Sequence, residues 1–298
     1  MILSDNMRAA LFMMTSMSAF TVNDALMKLA SDEVAFFQAI AMRGMMITVG
    51  LLILAYLRGQ LTYRPNAKDW GLISIRTVAE AIGTIFFLTA LFKMPIGNLS
   101  AILQALPLTV TLAAALFFGE AVGWKRLIAI LVGFVGVVLI IQPGTDGFTF
   151  YSLLGVAAVI AVTMRDLAAR KLSRDIPSGV VALAAGVGVT LMALIGGAGT
   201  AWVMPDAGSM LLLAAAALCL MIGYICAVSA MRTGDIGFVA PFRYTSLLVA
   251  LVLGFFVFGE WPNTLTILGA VIVVATGLFT LYRERATAAK PTQGLRMR

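Results

Sequence analysis

The chain has 298 residues, 61% of them hydrophobic and 12% charged, with a formal net charge of +7 and a mean hydropathy of +1.01. Soluble domains are about half apolar and about a quarter charged, so a soluble globular enzyme is excluded. The apolar runs are continuous rather than alternating, which excludes a transmembrane β-barrel, and the absence of histidine excludes His-based catalysis and His-containing metal sites.

Apolar runs of about 20 residues, each long enough to cross a bilayer as a helix, follow one another from end to end. They predict an all-α integral membrane protein of ten transmembrane helices, over residues 7–29, 33–57, 70–92, 96–118, 124–142, 149–170, 177–201, 208–231, 236–258 and 263–282. The first run carries Asn23 and Asp24 and lacks a small-residue cleavage site after a basic segment, so it is expected to be a span and not a cleaved leader.

Charged residues interrupt these spans in chain order. The first contains "TVNDALMKLAS", residues 21–31, with Asp24 and Lys28 four apart on one helix face. The second holds Arg43, and the third holds Arg76 and Glu80, again four apart. Gln104 and Pro107 interrupt the fourth, which ends in "FGE" at Glu120. The sixth contains "TMRDLAARKLS", residues 163–173, with Arg165, Asp166 and Arg170. The eighth carries Tyr224 and two cysteines, Cys219 and Cys226, seven apart on one helix and unable to bond without breaking it. The ninth carries Pro241, Arg243 and Tyr244 and ends in a second "FGE" at Glu260.

A charge at mid-membrane costs about 2.5–3.5 kcal/mol on insertion scales. Eight (Asp24, Lys28, Arg43, Arg76, Glu80, Arg165, Asp166 and Arg243) facing lipid would cost on the order of 20 kcal/mol, so these side chains are expected to face the bundle interior or a wet cavity. The pairs Asp24–Lys28, Arg76–Glu80 and Asp166–Arg170 can neutralise locally, as structural ion pairs, or present their charges to a substrate. Arg43 and Arg243 have no acid within a turn of their own helix; each needs another helix, a carbonyl or a substrate. Pro241 frees a backbone carbonyl, which only a protein-lined or wet surface tolerates, and this makes Arg243 the preferred substrate contact. Glu120 and Glu260 each precede the next span and are expected to cap its positive end.

Charge distribution sets the topology. Of the 21 Lys and Arg residues, fifteen fall at cytoplasmic segments when the N-terminus is inside, Lys93 falls outside, and five lie within spans. The positive-inside rule then places both termini in the cytoplasm. The four tryptophans (Trp70, Trp124, Trp202, Trp261) sit at span edges, as interfacial anchors do.

The chain also repeats itself. "ALFKMPIGNLSAILQALP" from Ala90 aligns without gaps on the stretch from Ala230, pairing Gly97 with Gly237 and the two "FGE" endings, and the opening motif recurs 142 residues on. Five spans per half means that the second half enters the membrane from the opposite side, an inverted repeat typical of secondary transporters. The expected halves are residues 1–144 and 145–285, followed by a basic cytoplasmic tail, 286–298.

Arg43, the opening of span 4, "APFRYTSLLVALVLGFFVFGEWP" at 240–262 and both "FGE" endings resemble the EamA-like ten-helix branch of the drug/metabolite transporter superfamily, over nearly the whole chain. Within it the chain looks most like YddG-type exporters of amino acids and related metabolites. The resemblance implies a central cavity lined by spans 1, 3, 4, 6, 8 and 9. Asn23, Asp24, Arg43, Arg76, Glu80, Gln104, Tyr224, Arg243 and Tyr244 then become candidate substrate contacts. Lys28, Arg165, Asp166, Arg170, Pro107, Pro241, Glu120 and Glu260 become structural or gating positions. The expected function is export of small polar metabolites, foremost amino acids including aromatic ones, across the bacterial inner membrane by alternating access. The alternative is uptake of a vitamin or nucleotide-like metabolite, or efflux of lipophilic cations. No cofactor, metal, nucleic acid or enzymatic activity is expected; the partners are a small zwitterionic substrate and the bilayer, with the chain acting as a monomer.

Overall fold

The computed structural model describes residues 4–120, 122–144, 149–173 and 175–288. Among them it is all helix: α1 Asp5–Ala30, α2 Phe36–Leu57, α3 Ala67–Leu91, α4 Ile96–Leu103, α5 Leu106–Phe118, α6 Trp124–Ile141, α7 Phe150–Lys171, α8 Ser178–Gly196, α9 Ala207–Thr233, α10 Ile236–Val239, α11 Thr245–Phe258 and α12 Thr264–Ala288. The predicted loop at 145–148, Arg174 and the last ten residues of the basic tail lie outside the described residues.

Two predicted spans are each built from consecutive shorter helices. Span 4 breaks between α4 and α5, where Gln104 ends one helix and Pro107 opens the next; a proline at the first turn supplies no donor, so it starts a helix more easily than it continues one. Span 9 breaks in the corresponding place, at a 3-10 turn over Ala240–Tyr244 that contains Pro241. Both spans then end alike, on Gly119 at φ 67° and Gly259 at φ 65°, the left-handed cap that glycine adopts without a Cβ clash.

Nine segments among the described residues are long and apolar enough to cross a membrane, counting Ile96–Phe118 and Ala240–Phe258 as single spans. The long helix α1 is not among them. It carries Asp5 and Arg8, both exposed at its start, and Asp24 and Lys28 further along, and its most extensive packing is against α9. Large apolar side chains are exposed on α1, as at Leu11, and on the other helices, as at Leu52, Leu131, Val135 and Phe256, as on lipid-facing helices.

Contacts between helices follow one pattern. The most extensive join α1 to α9, α3 to α7, α6 to α12 and α2 to α8, so each pairs a helix from before residue 145 with one from after it. Lipid offers no hydrophobic drive for this association, so close packing at small residues must supply it. A Cβ on Gly136 of α6 would meet the carbonyl oxygen of Gly269 on α12 at 2.9 Å. On α9, the carbonyl of Gly223 accepts a 2.8 Å hydrogen bond from Ser16 Oγ of α1.

The helix ends are capped locally. Asp206 accepts from the backbone N–H groups of Ser209 and Gly208 at the start of α9, and these bonds hold its carboxyl below the usual carboxylate range. Asn263 accepts from Thr266 at the start of α12. The expected capping of that helix by Glu260 is therefore corrected: Glu260 points elsewhere, as does Glu120, since α6 begins on Gly123 with no side-chain cap.

Candidate functional site

Helices α1, α2, α3, α8 and α9 enclose a cavity of about 160 Å³. Its polar lining is Asn23, Asp24, Arg43, Glu80, Thr84 and Tyr224; Phe87, Ile47, Leu220 and small residues of α8 complete the wall. Spans 1, 2, 3, 7 and 8 thus form it. Spans 4, 6 and 9, which the family resemblance placed in the wall, do not line it.

Two polar networks meet there. In the first, Asn23 is 3% exposed and acts as a bridge. Its Oδ1 accepts from Arg43 Nη1 at 3.0 Å, and its Nδ2 donates to Asp24 Oδ1 at 2.9 Å. Arg43 is buried, and its Nε has no partner among the described residues. In the second network, Arg165 of α7 donates to both oxygens of Glu80, at 3.2 and 3.3 Å. Arg165 also holds Asp166 Oδ1 at 2.8 Å through Nη2 and 2.9 Å through Nε. Arg76 Nη2 lies 3.6 Å from Glu80. Tyr224 packs edge-on against Phe20, with ring centroids 5.8 Å apart.

Helical spacing predicts three ion pairs, and the structure keeps one. Arg76 and Glu80 face each other. Asp24 and Lys28 do not pair: Lys28 Nζ reaches beyond the end of α1 to Glu260 Oε1 at 2.7 Å and to the Met94 carbonyl at 2.8 Å. Asp166 and Arg170 do not pair either, since Asp166 goes to Arg165 and Arg170 lies 3.7 Å from Glu120. A long side chain near a helix end extends toward the interface, so in both helices the base leaves the acid one turn deeper. Glu260 uses its other oxygen to accept from Ile96 N at 3.1 Å, and so caps α4 rather than α12.

Three further candidates lie away from the cavity. Gln104 is buried at the α4–α5 break and donates to Ser246 Oγ at 3.0 Å. Tyr244 is buried with its hydroxyl against Gly277 of α12. Arg243, the residue expected to contact substrate, is exposed. Both residues lie in the 3-10 turn, where neighbours point in directions about 120° apart, with Tyr244 inward and Arg243 outward. Sequence reasoning missed the wall residues Phe87 and Ile47, which look like ordinary core, and the two cross-half ion pairs. The repeat held the signal for the pairs: bases at 28 and 170 recur alongside acids at 260 and 120.

The EamA-like transporter family matches the chain twice, over residues 7–142 and 149–282. The chain belongs to that family. It is therefore a multi-pass protein of the bacterial inner membrane, within the drug/metabolite transporter superfamily. It is similar to the riboflavin transporter of Vibrio cholerae serotype O1, with 31% identity over 284 residues and 92% of each chain covered. It is also similar to the S-adenosylmethionine uptake transporter of Rickettsia bellii, with 25% identity over 275 residues, 92% of this chain and 94% of that one. A solved structure described only as a crystal structure of a protein shares the fold, with a TM-score of 0.65, 20% identity, and coverage of 93% of this chain and 98% of that one. The narrower likeness to amino-acid exporters draws no support from these relatives' names.

Proposed function

We propose that the EamA-like protein is an uptake carrier for a vitamin or nucleotide-like metabolite, which it moves by alternating access between two inverted halves. One observation carries the reading: the cavity lies between helices of the two family-matched segments and combines an aromatic ring, Tyr224, with charges of both signs. Such a mixture suits a heteroaromatic metabolite with polar substituents. Riboflavin and S-adenosylmethionine, named for the two relatives, are both of this kind.

Several features support the inverted repeat. The helix pairs α1·α9 and α3·α7 exchange under a swap of halves, and the breaks in spans 4 and 9 coincide. The two cross-half ion pairs supply a means of closing each end. Lys28–Glu260 lies by the start of α4, whereas Arg170–Glu120 lies beyond the end of α5. Those points are separated along the span by roughly 30 Å, about the hydrocarbon thickness of a bilayer. The Lys and Arg distribution supports a cytoplasmic side for the second pair and for both termini.

Export of an amino acid is the second reading, favoured by the opposite charges of Asp24 and Arg43 in one cavity. Purified protein in liposomes separates the two. The expected result is saturable uptake of labelled riboflavin or S-adenosylmethionine, with labelled phenylalanine at background. Saturable phenylalanine flux without movement of the other two would establish the second reading instead.

A further inference from the structure

The two copies of the opening motif place their acids alike and hold them differently. On α7, Asp166 is preceded by Arg165, whose guanidinium donates to it at 2.8 and 2.9 Å. At the equivalent position on α1, Asp24 is preceded by Asn23, a neutral amide that donates one bond at 2.9 Å. The cations that could have replaced the missing arginine are engaged elsewhere. Lys28 is committed to Glu260 and the Met94 carbonyl. Arg43 donates to Asn23 rather than to Asp24. Asp24 therefore makes no ion pair among the described residues, although Glu80, the other acid in the cavity wall, is held by Arg165 and Arg76.

Arg43 lines the same cavity and attracts Asp24 from beyond the Asn23 amide, but a carboxylate with no cation in direct contact inside a membrane protein is costly. Asp24 faces the cavity with one oxygen that no described group satisfies. The cavity also carries the rings of Tyr224 and Phe87, whose faces attract cations. A positive ligand group would meet both demands at once.

We propose that Asp24 is the docking carboxylate for a positively charged group on the transported metabolite, a sulfonium, quaternary ammonium or protonated amine. This deepens the carrier reading and rests on it: within the class of vitamins and nucleotide-like metabolites, it selects cation-bearing members over neutral ones. Asn23 is the positioning residue, since it fixes Asp24 while keeping Arg43 off it.

The test uses the full-length purified protein and two probes that differ by one methyl group and its positive charge, S-adenosylmethionine and S-adenosylhomocysteine. Wild type should bind the sulfonium at least about tenfold more tightly, because only the sulfonium carries a charge for the Asp24 carboxylate to attract at low local dielectric. Asp24→Asn should lose that preference, and Asp24→Glu should keep part of it. Should Asp24→Asn not fold, carbodiimide modification of wild-type Asp24, read by mass spectrometry, replaces it: the sulfonium should protect the residue and the thioether should not. Equal binding of the two probes by wild type, or a preference that survives in Asp24→Asn, overturns the proposal. Liposome flux run in parallel keeps the two readings apart. Probes that cross equally well in wild type and Asp24→Asn remove the docking role and leave the carrier. Protection of Asp24 without any flux removes the carrier and leaves the docking site.

Discussion

The two ends of the bundle use one device at different strengths. At one end Lys28 is 12% exposed and lies 2.7 Å from Glu260, which is 25% exposed and also caps α4. At the other end Arg170 is 45% exposed and lies 3.7 Å from Glu120, which is 54% exposed. Each pair joins the base of an opening motif to the "FGE" glutamate of the opposite half. The first is largely buried, short and tied into a helix start; the second is wet and loose. Sequence symmetry therefore sets which residues meet, and solvent access sets what the meeting is worth. Removing one partner of a buried pair costs about 3–5 kcal/mol, whereas an exposed pair is worth about 0–1 kcal/mol.

The largest effect should come from the core that separates the two ends. Arg165→Asn would make α7 resemble α1 at this position, and it would strip the short contacts from both Glu80 and Asp166. The loss should reach the upper part of about 3–5 kcal/mol, seen as a large drop in thermal midpoint in detergent. If Arg165→Asn melted like wild type, the neutral bridge at Asn23 and the charged one at Arg165 would be interchangeable, and the asymmetry between the halves would lose its meaning. Next comes Glu260→Ala at the tied end. It leaves Lys28 with only the Met94 carbonyl and uncaps α4, a loss of about 3 kcal/mol, and the double variant Lys28→Met/Glu260→Met should recover much of it because no unpaired charge is left over. Failure of the double variant to recover would assign the cost to the α4 cap and not to the ion pair.

The architecture was largely written in composition and punctuation. Apolar runs marked the spans to within a few residues, and Pro107 and Pro241 marked where spans 4 and 9 break. The motif at 21–31 pointed to the right side chains of α1, because a charge inside a membrane must be accounted for. Their partners were not legible, because i,i+4 spacing ranks neighbours on one helix only, and Glu260 lies 232 residues from Lys28. Arg243 was misplaced for a related reason. Proline predicts that the helix is interrupted but not which of the adjacent Arg243 and Tyr244 faces inward. The cavity wall was half legible: Asn23, Asp24, Arg43, Glu80 and Tyr224 stand out in apolar helices, whereas Phe87 and Ile47 look like any lipid-facing or core residue until the helices are packed.

The smallest expected effect is the one that sharpens the contrast most. Arg170→Ala removes the base at the loose end, where both side chains are about half exposed. Water and salt already screen that pair, with a Debye length of about 8 Å at physiological ionic strength, so stability should change by no more than about 1 kcal/mol, and by less in high salt. Lys28→Ala in the same buffers should be more damaging and less salt-sensitive, because the Lys28–Glu260 contact is shorter and less exposed. Thermal midpoints of the two variants, measured from low to high salt, give the comparison directly. Two parallel curves, equally deep and equally salt-sensitive, would mean that both ends are closed to the same degree in solution. Divergent curves would mean that the end at Glu120 is the open one, and transport should then respond to Arg170 through the rate at which that end closes rather than through the amount of folded protein.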